Sequence, residues 1–236
     1  MLVTEIYKSL QGESTYAGVA CIFVRLTGCN LRCEWCDSEF SFYGGQKMTV
    51  DEVLAEIGKL HAPTGNRQLA TGSCLVEITG GEPMLQEREV VALMERLLDT
   101  GYKVLLETSG ERPLARVPKQ VIKIVDVKCP HSGEANTFAD ENLQALEPHD
   151  ELKFVLTDRT DYEFARDFVE QRQLAGRVNA ILFSPAFRKN ASGARDTSHC
   201  LLDPQELAQW MLADNVPARL SLQLHKFIWD PATKGV

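Results

Sequence analysis

Three cysteines, Cys29, Cys33 and Cys36, lie within eight residues of one another in the stretch GCNLRCEWCDS. Thiolates this close in sequence can bind one inorganic centre. A structural zinc site needs four protein ligands, and an iron–sulfur cluster held by protein alone usually takes four cysteines. The spacing therefore indicates either a metal centre with one position left for a further ligand, or a zinc knuckle whose fourth ligand is distant in sequence.

Turns rich in glycine and polar residues follow several apolar runs, and they offer groups that could bind a ligand. The motif ITGGEP (78–83) combines two glycines with Glu82, whose carboxylate could hold an ammonium group. The motifs ETSG (107–110), DVKCP (126–130) and FSPA (183–186) end other apolar runs. Singly, each is typical of a cap or a turn. Together they predict one ligand-binding edge.

Three further features suggest a small polar substrate that carries a carboxylate. Gln11 and Glu13 flank Gly12, and an amide and a carboxylate placed in this way could pair with the edge of a pterin or purine, or simply form a turn. Arg25 interrupts an apolar run, so it needs either a substrate carboxylate or a protein acid such as Asp37 or Glu13. Ser38 could bind Mg²⁺ together with that carboxylate, or act as a cap.

The elements that position these residues alternate between strand and helix patterns. Apolar runs predict strands at 19–26, 75–79, 103–108, 121–127, 152–156, 180–184 and 220–224, and amphipathic patterns predict helices at 49–60, 87–101, 161–176 and 203–215. A loop at 61–73 and a longer polar loop at 186–200 break the alternation. This order predicts an α/β fold with a mostly parallel sheet, in one domain over residues 1–236.

The composition is that of an acidic globular protein. The chain has 236 residues, a net charge of −8 and 44% hydrophobic residues. This charge argues against a nucleic acid or an anionic membrane as the main partner. The N-terminus does not have the pattern of a signal peptide, and the seven unevenly spaced cysteines favour metal or catalytic thiols over disulfides. We therefore expect a cytoplasmic protein.

The Cys-x3-Cys-x2-Cys spacing resembles the signature of the radical S-adenosylmethionine (SAM) enzymes, and Trp35 fits an aromatic position often seen there. The GGEP motif is similar to a second motif of that family. The resemblance implies a partial (β/α)6-type barrel. It also implies a 4Fe–4S cluster bound by the three cysteines, whose fourth iron binds SAM.

Within that superfamily, the chain resembles the 7-carboxy-7-deazaguanine synthases. The shared motifs are LQGE, an arginine before the cysteines, CDS, TGGEP, ETSG and a late QLHK, and they extend from Leu10 to Lys226 in order. Leu224 departs from the pattern, since threonine is common there. The resemblance implies a homodimer that uses SAM and Mg²⁺ to convert 6-carboxy-5,6,7,8-tetrahydropterin into 7-carboxy-7-deazaguanine by radical ring contraction, with loss of ammonia.

The resemblance also assigns roles to residues by position. The implied metal ligands are Cys29, Cys33 and Cys36 for the cluster and Ser38 for Mg²⁺. The residues implied to bind the cofactor are Trp35, Asp37, Gly81, Glu82, Ser109, Asp126, Lys128 and Ser184. The residues implied to bind the substrate are Leu10, Gln11, Gly12, Glu13, Arg25, Thr79 and His225.

Two alternative functions are compatible with the cysteines alone. A radical SAM activase that generates a glycyl radical on a partner protein shares the cysteine spacing, but it has no need of Gln11, Glu13 and Arg25 in a pocket. A non-catalytic zinc or electron-transfer protein is the other alternative. The basic loop that holds Arg188, Lys189 and Arg195 is either a solvated surface or a docking site for an acidic electron donor such as flavodoxin.

Overall fold

A computed structural model describes residues 1–61, 74–189 and 191–235. Within these residues, one sheet contains the strands β1 Leu2–Leu10, β2 Ala20–Leu26, β3 Gln46–Lys47, β4 Leu75–Gly80, β5 Lys103–Thr108, β6 Ile122–Asp126, β7 Glu151–Leu156, β8 Ala180–Pro185 and β9 Arg219–Leu220. The α-helices are α1 Val50–His61, α2 Glu87–Asp99, α3 Arg159–Gln171, α4 Pro204–Asp214 and α5 His225–Ile228.

The sheet is an open, partial barrel with mostly parallel strands, as the sequence predicts. Its order is β3-β1-β2-β4-β5-β6-β7-β8-β9, so β3 and β9 are its two edges. β2 and β4 to β9 are parallel, whereas β1 and β3 add an antiparallel edge. The carboxyl ends of the parallel strands therefore meet at one edge, where α/β folds bind ligands.

Alternate residues of each strand face opposite sides of the sheet, and the two sides differ in character. The side chains of Ile22, Val24 and Leu26 belong to the large core that includes helix residues such as Val53 and Leu93. The intervening residues Cys21, Phe23, Leu75, Leu105, Ile122 and Ile124 form a second, smaller apolar cluster. Because the side-chain period of a strand is two, the polar residues that continue this second row belong to the inner side of the partial barrel.

Side-chain caps fix the start of two of the predicted helices, α1 and α4. At the start of α1, Thr49 and Glu52 form a reciprocal capping box, with Glu52 N–H 3.2 Å from Thr49 Oγ1 and Thr49 N–H 2.7 Å from a Glu52 carboxylate oxygen. Asp203 caps α4 by accepting a hydrogen bond of 2.9 Å from Gln205 N–H, and Pro204 is the first helical residue. These caps fix where the helices begin and thus which faces pack on the sheet.

Three elements differ from the prediction. The first strand, β1, lacks a clear apolar alternation and was not expected, because its residues are mostly only half-buried. The helix predicted to reach residue 176 ends at Gln171, and Gln173 adopts a left-handed conformation beyond it. The strand predicted at 220–224 ends at Leu220, so His225 begins α5 and does not lie on a strand. The loop predicted at 61–73 lies almost entirely outside the described residues.

The segment from Gln11 to Val19 links β1 to β2 and extends across the sheet to contact Glu151 on β7 and Leu224. Its ends pair with each other, since Gln11 N–H donates to the Val19 carbonyl at 2.8 Å. Between them, Thr15 N–H lies 3.1 Å from a carboxylate oxygen of Glu151 on β7, and the Gly12 carbonyl accepts from Leu224 N–H at 2.7 Å. The segment therefore brings Gln11, Gly12 and Glu13 against the inner side of the partial barrel.

Among the described residues, every helix is too short or too polar to cross a lipid bilayer.

Candidate active site

A cavity of about 500 Å³ lies at the carboxyl ends of the parallel strands. All of the residues predicted to bind cluster, cofactor, Mg²⁺ or substrate line it, except Glu82 and Ser184. Those that line it include the three cysteines and Ser38, together with residues from the loop at 10–13, from β2 and from β4. The motifs that the sequence separates by up to two hundred residues thus converge on one site.

The cysteine loop follows β2 directly and folds back on itself. Gly28 has a φ of +102°, a conformation that favours glycine, and its N–H donates to the Ser41 carbonyl at 2.8 Å. All three cysteines are partly exposed free thiols. Their sulfur atoms do not all lie within 4.8 Å of one another, since the described residues form only one metal-compatible group that tight, and it contains no cysteine.

The glycine turn after β4 packs directly against the cysteine loop. A Cβ atom on Gly81 would overlap the Gly28 carbonyl and would lie 2.8 Å from the Cβ of Cys29. One residue earlier, Gly80 has a φ of +141° and lies just as close to the backbone of Leu26. Glu82 N–H completes the contact by donating to the Gly28 carbonyl at 2.8 Å. The two glycines therefore set the position of the first cysteine.

Glu82 has a structural role that the sequence did not indicate. One of its carboxylate oxygens accepts from Met84 N–H at 2.9 Å and from the Thr108 hydroxyl at 2.7 Å. The other accepts from the backbone N–H and the hydroxyl of Ser109, at 2.8 and 2.7 Å. The carboxylate predicted to hold an ammonium group is buried and is already bound by four protein donors. It ties the end of β5 to the glycine turn.

Charged residues at the ends of β6 and β7 form the opposite wall. Lys128 Nζ lies 2.9 Å from Asp126 Oδ2, and Lys153 on β7 lies 3.5 Å from the same oxygen. Burial raises the pKa of Cys33 to about 11, and the Lys128 ammonium opposes that rise. Asp126 Oδ1 and the Ser184 hydroxyl are buried without a hydrogen-bond partner among the described residues. Asp126 lines the cavity, so its unpaired oxygen is available to a ligand, whereas Ser184 does not line it.

Arg25 contacts a protein acid, but the acid is neither of those that the sequence suggested. Its Nε donates to Glu5 at 2.8 Å, and its Nη2 donates to the Tyr7 hydroxyl at 2.9 Å. Glu5 and Tyr7 belong to β1, the strand that was not predicted. These two bonds orient the guanidinium group, and its Nη1 has no hydrogen-bond partner in the described part of the chain. Arg25 lines the cavity and can still bind a carboxylate.

The loop at 10–13 is held by the late QLHK motif. Gln223 Nε2 donates to Glu13 at 2.9 Å, and the ring of His225 lies so close to Gly12 that a Cβ there would overlap it. The contact at position 224 is made by the backbone N–H, so the departure from threonine leaves it intact. Burial lowers the pKa of His225, although the Glu13 carboxylate opposes this, and the ring is therefore neutral at pH 7.

Residues next to the third cysteine also line the cavity. Asp37, predicted to bind the cofactor, forms an ion pair of 2.7 Å with Lys226 of the QLHK motif. The Ser38 hydroxyl lies 3.7 Å from the sulfur of Cys36. Trp35 is placed on the same wall. The segment after the third cysteine is thus tied to the C-terminal part of the chain.

The cavity residues that were not predicted include three charged ones, Glu77, Glu107 and Lys153. Lys153 Nζ lies 2.8 Å from Glu13 Oε2 and also binds Glu107, whose other carboxylate oxygen accepts from the Thr79 hydroxyl at 3.0 Å. Burial alone would raise the pKa of Glu13, but Lys153 and His225 hold it at about 2. The alternation of strand residues contained the signal for Glu77, which lies two residues before Thr79 on the same face of β4.

Comparison with known proteins agrees with this geometry. Residues 23–133 match the Radical SAM superfamily. A 7-carboxy-7-deazaguanine synthase of Koribacter versatilis is 65% identical over 236 residues, which is 100% of each chain. One from Chlorobaculum tepidum is 39% identical over 99% of this chain and 96% of that protein.

The fold is also similar to that of a solved structure. The crystal structure of QueE from Escherichia coli has a TM-score of 0.69 and 23% sequence identity, covering 95% of this chain and 94% of that one. At this identity the likeness shows the fold alone. The full-length sequence relatives show more: this chain belongs to the 7-carboxy-7-deazaguanine synthase family of the radical SAM superfamily.

Proposed function

We propose that this chain is an enzyme that converts 6-carboxy-5,6,7,8-tetrahydropterin into 7-carboxy-7-deazaguanine, with loss of ammonia. The observation that carries the proposal is the convergence of the cysteine loop, the loop at 10–13 and Arg25 on one cavity. Family membership at 65% identity over the full chain supports the same reaction. The cofactors are a 4Fe–4S cluster, SAM and Mg²⁺, and we propose that the whole chain acts as a single domain.

The donor set of the cysteine loop fits an iron–sulfur cluster. Cys29, Cys33 and Cys36 are free thiols on one loop, and all three line the cavity. Cysteine thiolates are the usual protein ligands of such clusters. We therefore assign Cys29, Cys33 and Cys36 to the cluster.

The walls near the cysteines fit SAM. When bound, the cluster and SAM would supply the radical chemistry that the removal of a hydrogen atom from the substrate requires. The unpaired Asp126 Oδ1 offers an acceptor to the ribose or the amino group of SAM. Lys128 adds a positive charge next to the cluster, and Gly81 allows close approach to the backbone. Because Glu82 is already bound by four donors, we place its contribution in holding Ser109 and the glycine turn.

The remaining residues fit the substrate and Mg²⁺. Arg25, oriented by Glu5 and Tyr7, is suited to the substrate carboxylate. Ser38 offers one hydroxyl oxygen, which suits Mg²⁺ because this ion usually keeps several waters and binds few protein ligands. Thr79 and Glu13 complete the wall, and a neutral His225 can donate or accept a hydrogen bond. A walled cavity of this kind can hold the target hydrogen close and exclude water from a radical reaction.

The reaction can be tested directly. Reconstituted protein is incubated without oxygen with SAM, dithionite, Mg²⁺ and 6-carboxy-tetrahydropterin, and the product is identified by mass spectrometry. We expect 7-carboxy-7-deazaguanine and about four irons per chain. Cleavage of SAM without this product would point to another substrate, and one zinc without sulfide would exclude the radical mechanism. In a Cys33→Ala variant both iron and product should fall, whereas Cys200→Ala, outside the cavity, should retain them.

We also propose an acidic electron donor such as flavodoxin. Two of the three basic residues in the loop already have partners within the protein, so the loop presents less free positive charge than the sequence suggested. Lys189 pairs with Glu39 at 2.6 Å, and Arg195 donates to the Ile228 carbonyl at 3.1 Å. Arg188 lies at the cavity rim. If the loop docks the donor, replacing these three residues by Ala should slow flavodoxin-driven turnover and leave dithionite-driven turnover unchanged. Equal rates with flavodoxin would exclude docking at this loop.

The oligomeric state and the absence of nucleic-acid partners are proposals as well. Leu212 on α4 is 81% exposed, and Leu220 on the edge strand β9 is 41% exposed. A second copy of the chain would cover these two side chains in the homodimer that the family resemblance implies. The net charge of −8 opposes binding to nucleic acid. Light scattering of the reconstituted protein should give twice the chain mass, and a monomer mass would contradict the proposal.

A further inference from the structure

Glu77 lies on the floor of the cavity and is the residue whose chemistry the proposed roles leave unused. It is on β4 with its side chain among the cavity residues, and only 1% of the residue is exposed. Its neighbours in register are Phe23 on β2 and Leu105 on β5, both apolar. A carboxyl group is thus held between two hydrophobic side chains, one layer below Thr79.

The hydrogen bonds of Glu77 leave one of its oxygens for a ligand. Oε2 accepts from Gln11 Nε2 at 2.7 Å, and the carbonyl oxygen of the Gln11 side chain accepts from Glu13 N–H. The NH2 group and the carbonyl oxygen of the Gln11 side chain are therefore both bound within the protein. The sequence had suggested that this amide would bind the substrate. Glu77 Oε1 has no hydrogen-bond partner within residues 1–61, 74–189 and 191–235. Gln11 holds the carboxyl group in place, and the carboxyl group faces the cavity.

The charges around Glu77 favour a ligand that donates hydrogen bonds to it. In the part of the chain that the structure describes, no cation forms an ion pair with it, because Lys153 is bound to Glu13, Glu107 and Asp126. Burial, together with the carboxylates of Glu107 and Glu13, raises the pKa of Glu77 to about 8, although Gln11 and Lys153 oppose the rise. Glu77 is therefore protonated at neutral pH in the free protein, because a buried carboxylate without a cation is costly. Two adjacent N–H groups of a ligand would stabilise the ionised form as an arginine does, so that Glu77 loses its proton when the ligand binds.

The position of Glu77 relative to Arg25 matches the two ends of a pterin. Arg25 lies opposite Thr79 in the ladder, whereas Glu77 lies opposite Phe23, two residues deeper. Two residues of a strand span about 6.6 Å. In a 6-carboxypterin, the carboxylate is at one end of the bicyclic ring, and the N3–H and 2-amino donors are at the other. With the carboxylate at Arg25, the donor edge points toward the floor of the cavity.

We propose that Glu77 is a specificity residue that accepts hydrogen bonds from the N3–H and 2-amino groups of the substrate, so that the site selects 2-amino-4-oxo pterins over 2,4-dioxo analogues. This inference rests on the proposed function, because it assumes a pterin in the cavity. In a 2,4-dioxo ring, an acceptor oxygen replaces the 2-amino donor and would face the acceptor oxygen of Glu77. Such a mismatch leaves two buried polar groups unpaired.

The test compares two air-stable ligands, 6-carboxypterin and 6-carboxylumazine, by equilibrium dialysis against the reconstituted protein. We expect the unchanged protein to bind the pterin about 10²- to 10³-fold more tightly, since a site built to accept from a donor rejects the analogue that lacks it. In Glu77→Gln, the amide can donate to the 2-oxo group and accept from N3–H. The preference should therefore fall below about tenfold.

Two further variants keep the test decisive if Glu77→Gln folds poorly. Glu77→Asp retains the carboxylate and should keep the preference for the pterin with weaker binding of both ligands. Asp161→Asn replaces another fully buried carboxylate, which accepts hydrogen bonds from Thr157 outside the cavity, and should keep the preference unchanged. The inference is overturned if Glu77→Gln keeps the same preference for the pterin as the unchanged protein. It is also overturned if Glu77→Asp and Glu77→Gln lose that preference equally.

The failure of this inference is distinguishable from that of the proposed function. If the unchanged protein makes no 7-carboxy-7-deazaguanine, the function is wrong whatever the dialysis shows. If it makes the product but binds both ligands equally, the function stands and the role of Glu77 is wrong.

Discussion

At the scale of single residues, the site is held by polar side chains that the protein itself orients. Arg25 uses Nε for Glu5 and Nη2 for Tyr7, so its fork is fixed before any ligand arrives. Glu77 is held by Gln11 in the same way. Protein contacts thus position both groups, and each group keeps hydrogen-bonding capacity for a ligand.

Replacing Arg25 by Lys should weaken substrate binding while the protein stays folded. A lysine keeps the charge but has no fork, so it cannot bond Glu5, Tyr7 and a carboxylate together. We expect kcat/KM to fall by roughly 10²-fold, mostly through KM, because such a bidentate contact contributes about 3 kcal/mol. Steady-state kinetics at varied substrate measures this. Glu5→Gln, which keeps a hydrogen bond to Nε, should lose far less, and an unchanged KM in Arg25→Lys would contradict the assignment.

Glu77 should make the stability of the protein depend on pH in a defined window. Its pKa is raised from the ordinary 4.5 to about 8, mainly by burial, so between these values the folded protein keeps a proton that the unfolded chain has lost. The folded state then binds more protons, and stability falls as pH rises through this window. Glu77→Gln removes the effect. Its unfolding free energy relative to the unchanged protein should rise by up to about 1.4 kcal/mol per pH unit up to pH 8.

Thermal unfolding of both proteins, without oxygen and between pH 5 and 9, measures this difference. Above pH 8 the folded protein is ionised too, so the difference should level off. A difference that stays constant from pH 5 to 8 would mean that the pKa of Glu77 is not raised.

At the scale of elements, two neighbouring turns build the cluster site together. The cysteine loop after β2 and the glycine turn after β4 are in backbone contact, and Glu82 ties the second of these turns to the end of β5. These turns follow parallel strands that are adjacent in the sheet, so their contact is a consequence of topology. The sequence predicted this part of the site well, because each motif is local and the βαβ pattern places the strand ends side by side.

Gly81→Ala should disturb the cluster. A Cβ there would overlap the Gly28 carbonyl and press on Cys29, and backbone cannot move away as a flexible side chain can. We expect reconstituted iron per chain to fall by at least about half, with lower product formation, because the first cysteine is displaced from the other two. Iron analysis and the visible absorption of the cluster measure the loss.

Gly58→Ala is the matched control for this substitution. Gly58 lies within α1, and a Cβ there meets no atom within 4 Å. This variant should bind iron normally and be more stable by about 0.5–1 kcal/mol, since alanine is favoured over glycine in a helix. Normal iron content in Gly81→Ala would show that the close packing of the two turns is not needed for the cluster.

At the scale of the whole molecule, the site depends on contacts between residues far apart in the sequence. Glu13 bonds Lys153, and the QLHK motif bonds the loop at 10–13, over separations of 140 and about 210 residues. Such contacts carry no local sequence signal, which is why the role of Lys153 was missed. The strand predicted at 220–224 was wrong for a related reason: its alternating pattern is real, but Leu224 and Gln223 leave the sheet to hold that loop.

Lys153 is the residue on which this long-range arrangement depends most. Its ammonium contacts Glu13 from the loop, Glu107 from β5 and Asp126 from β6, so one cation joins the loop at 10–13 to two strands of the sheet. Lys153→Met would leave three carboxylates in one cavity without that cation. Removing one partner of a buried ion pair typically costs about 3–5 kcal/mol. We expect a loss of this size in stability, together with a rise in the KM for substrate as the loop at 10–13 is released.

A second buried lysine provides a control that separates an effect on substrate binding from a general loss of stability. Lys123 on β6 is 1% exposed and pairs with the fully buried Asp150 at 2.8 Å, outside the cavity. Lys123→Met should lose stability by a similar amount, because it also leaves a buried carboxylate unpaired. It should nevertheless keep the KM for substrate at temperatures where it stays folded. If Lys153→Met keeps that KM as well, the cation supports only the fold, and the loop at 10–13 is positioned independently of it.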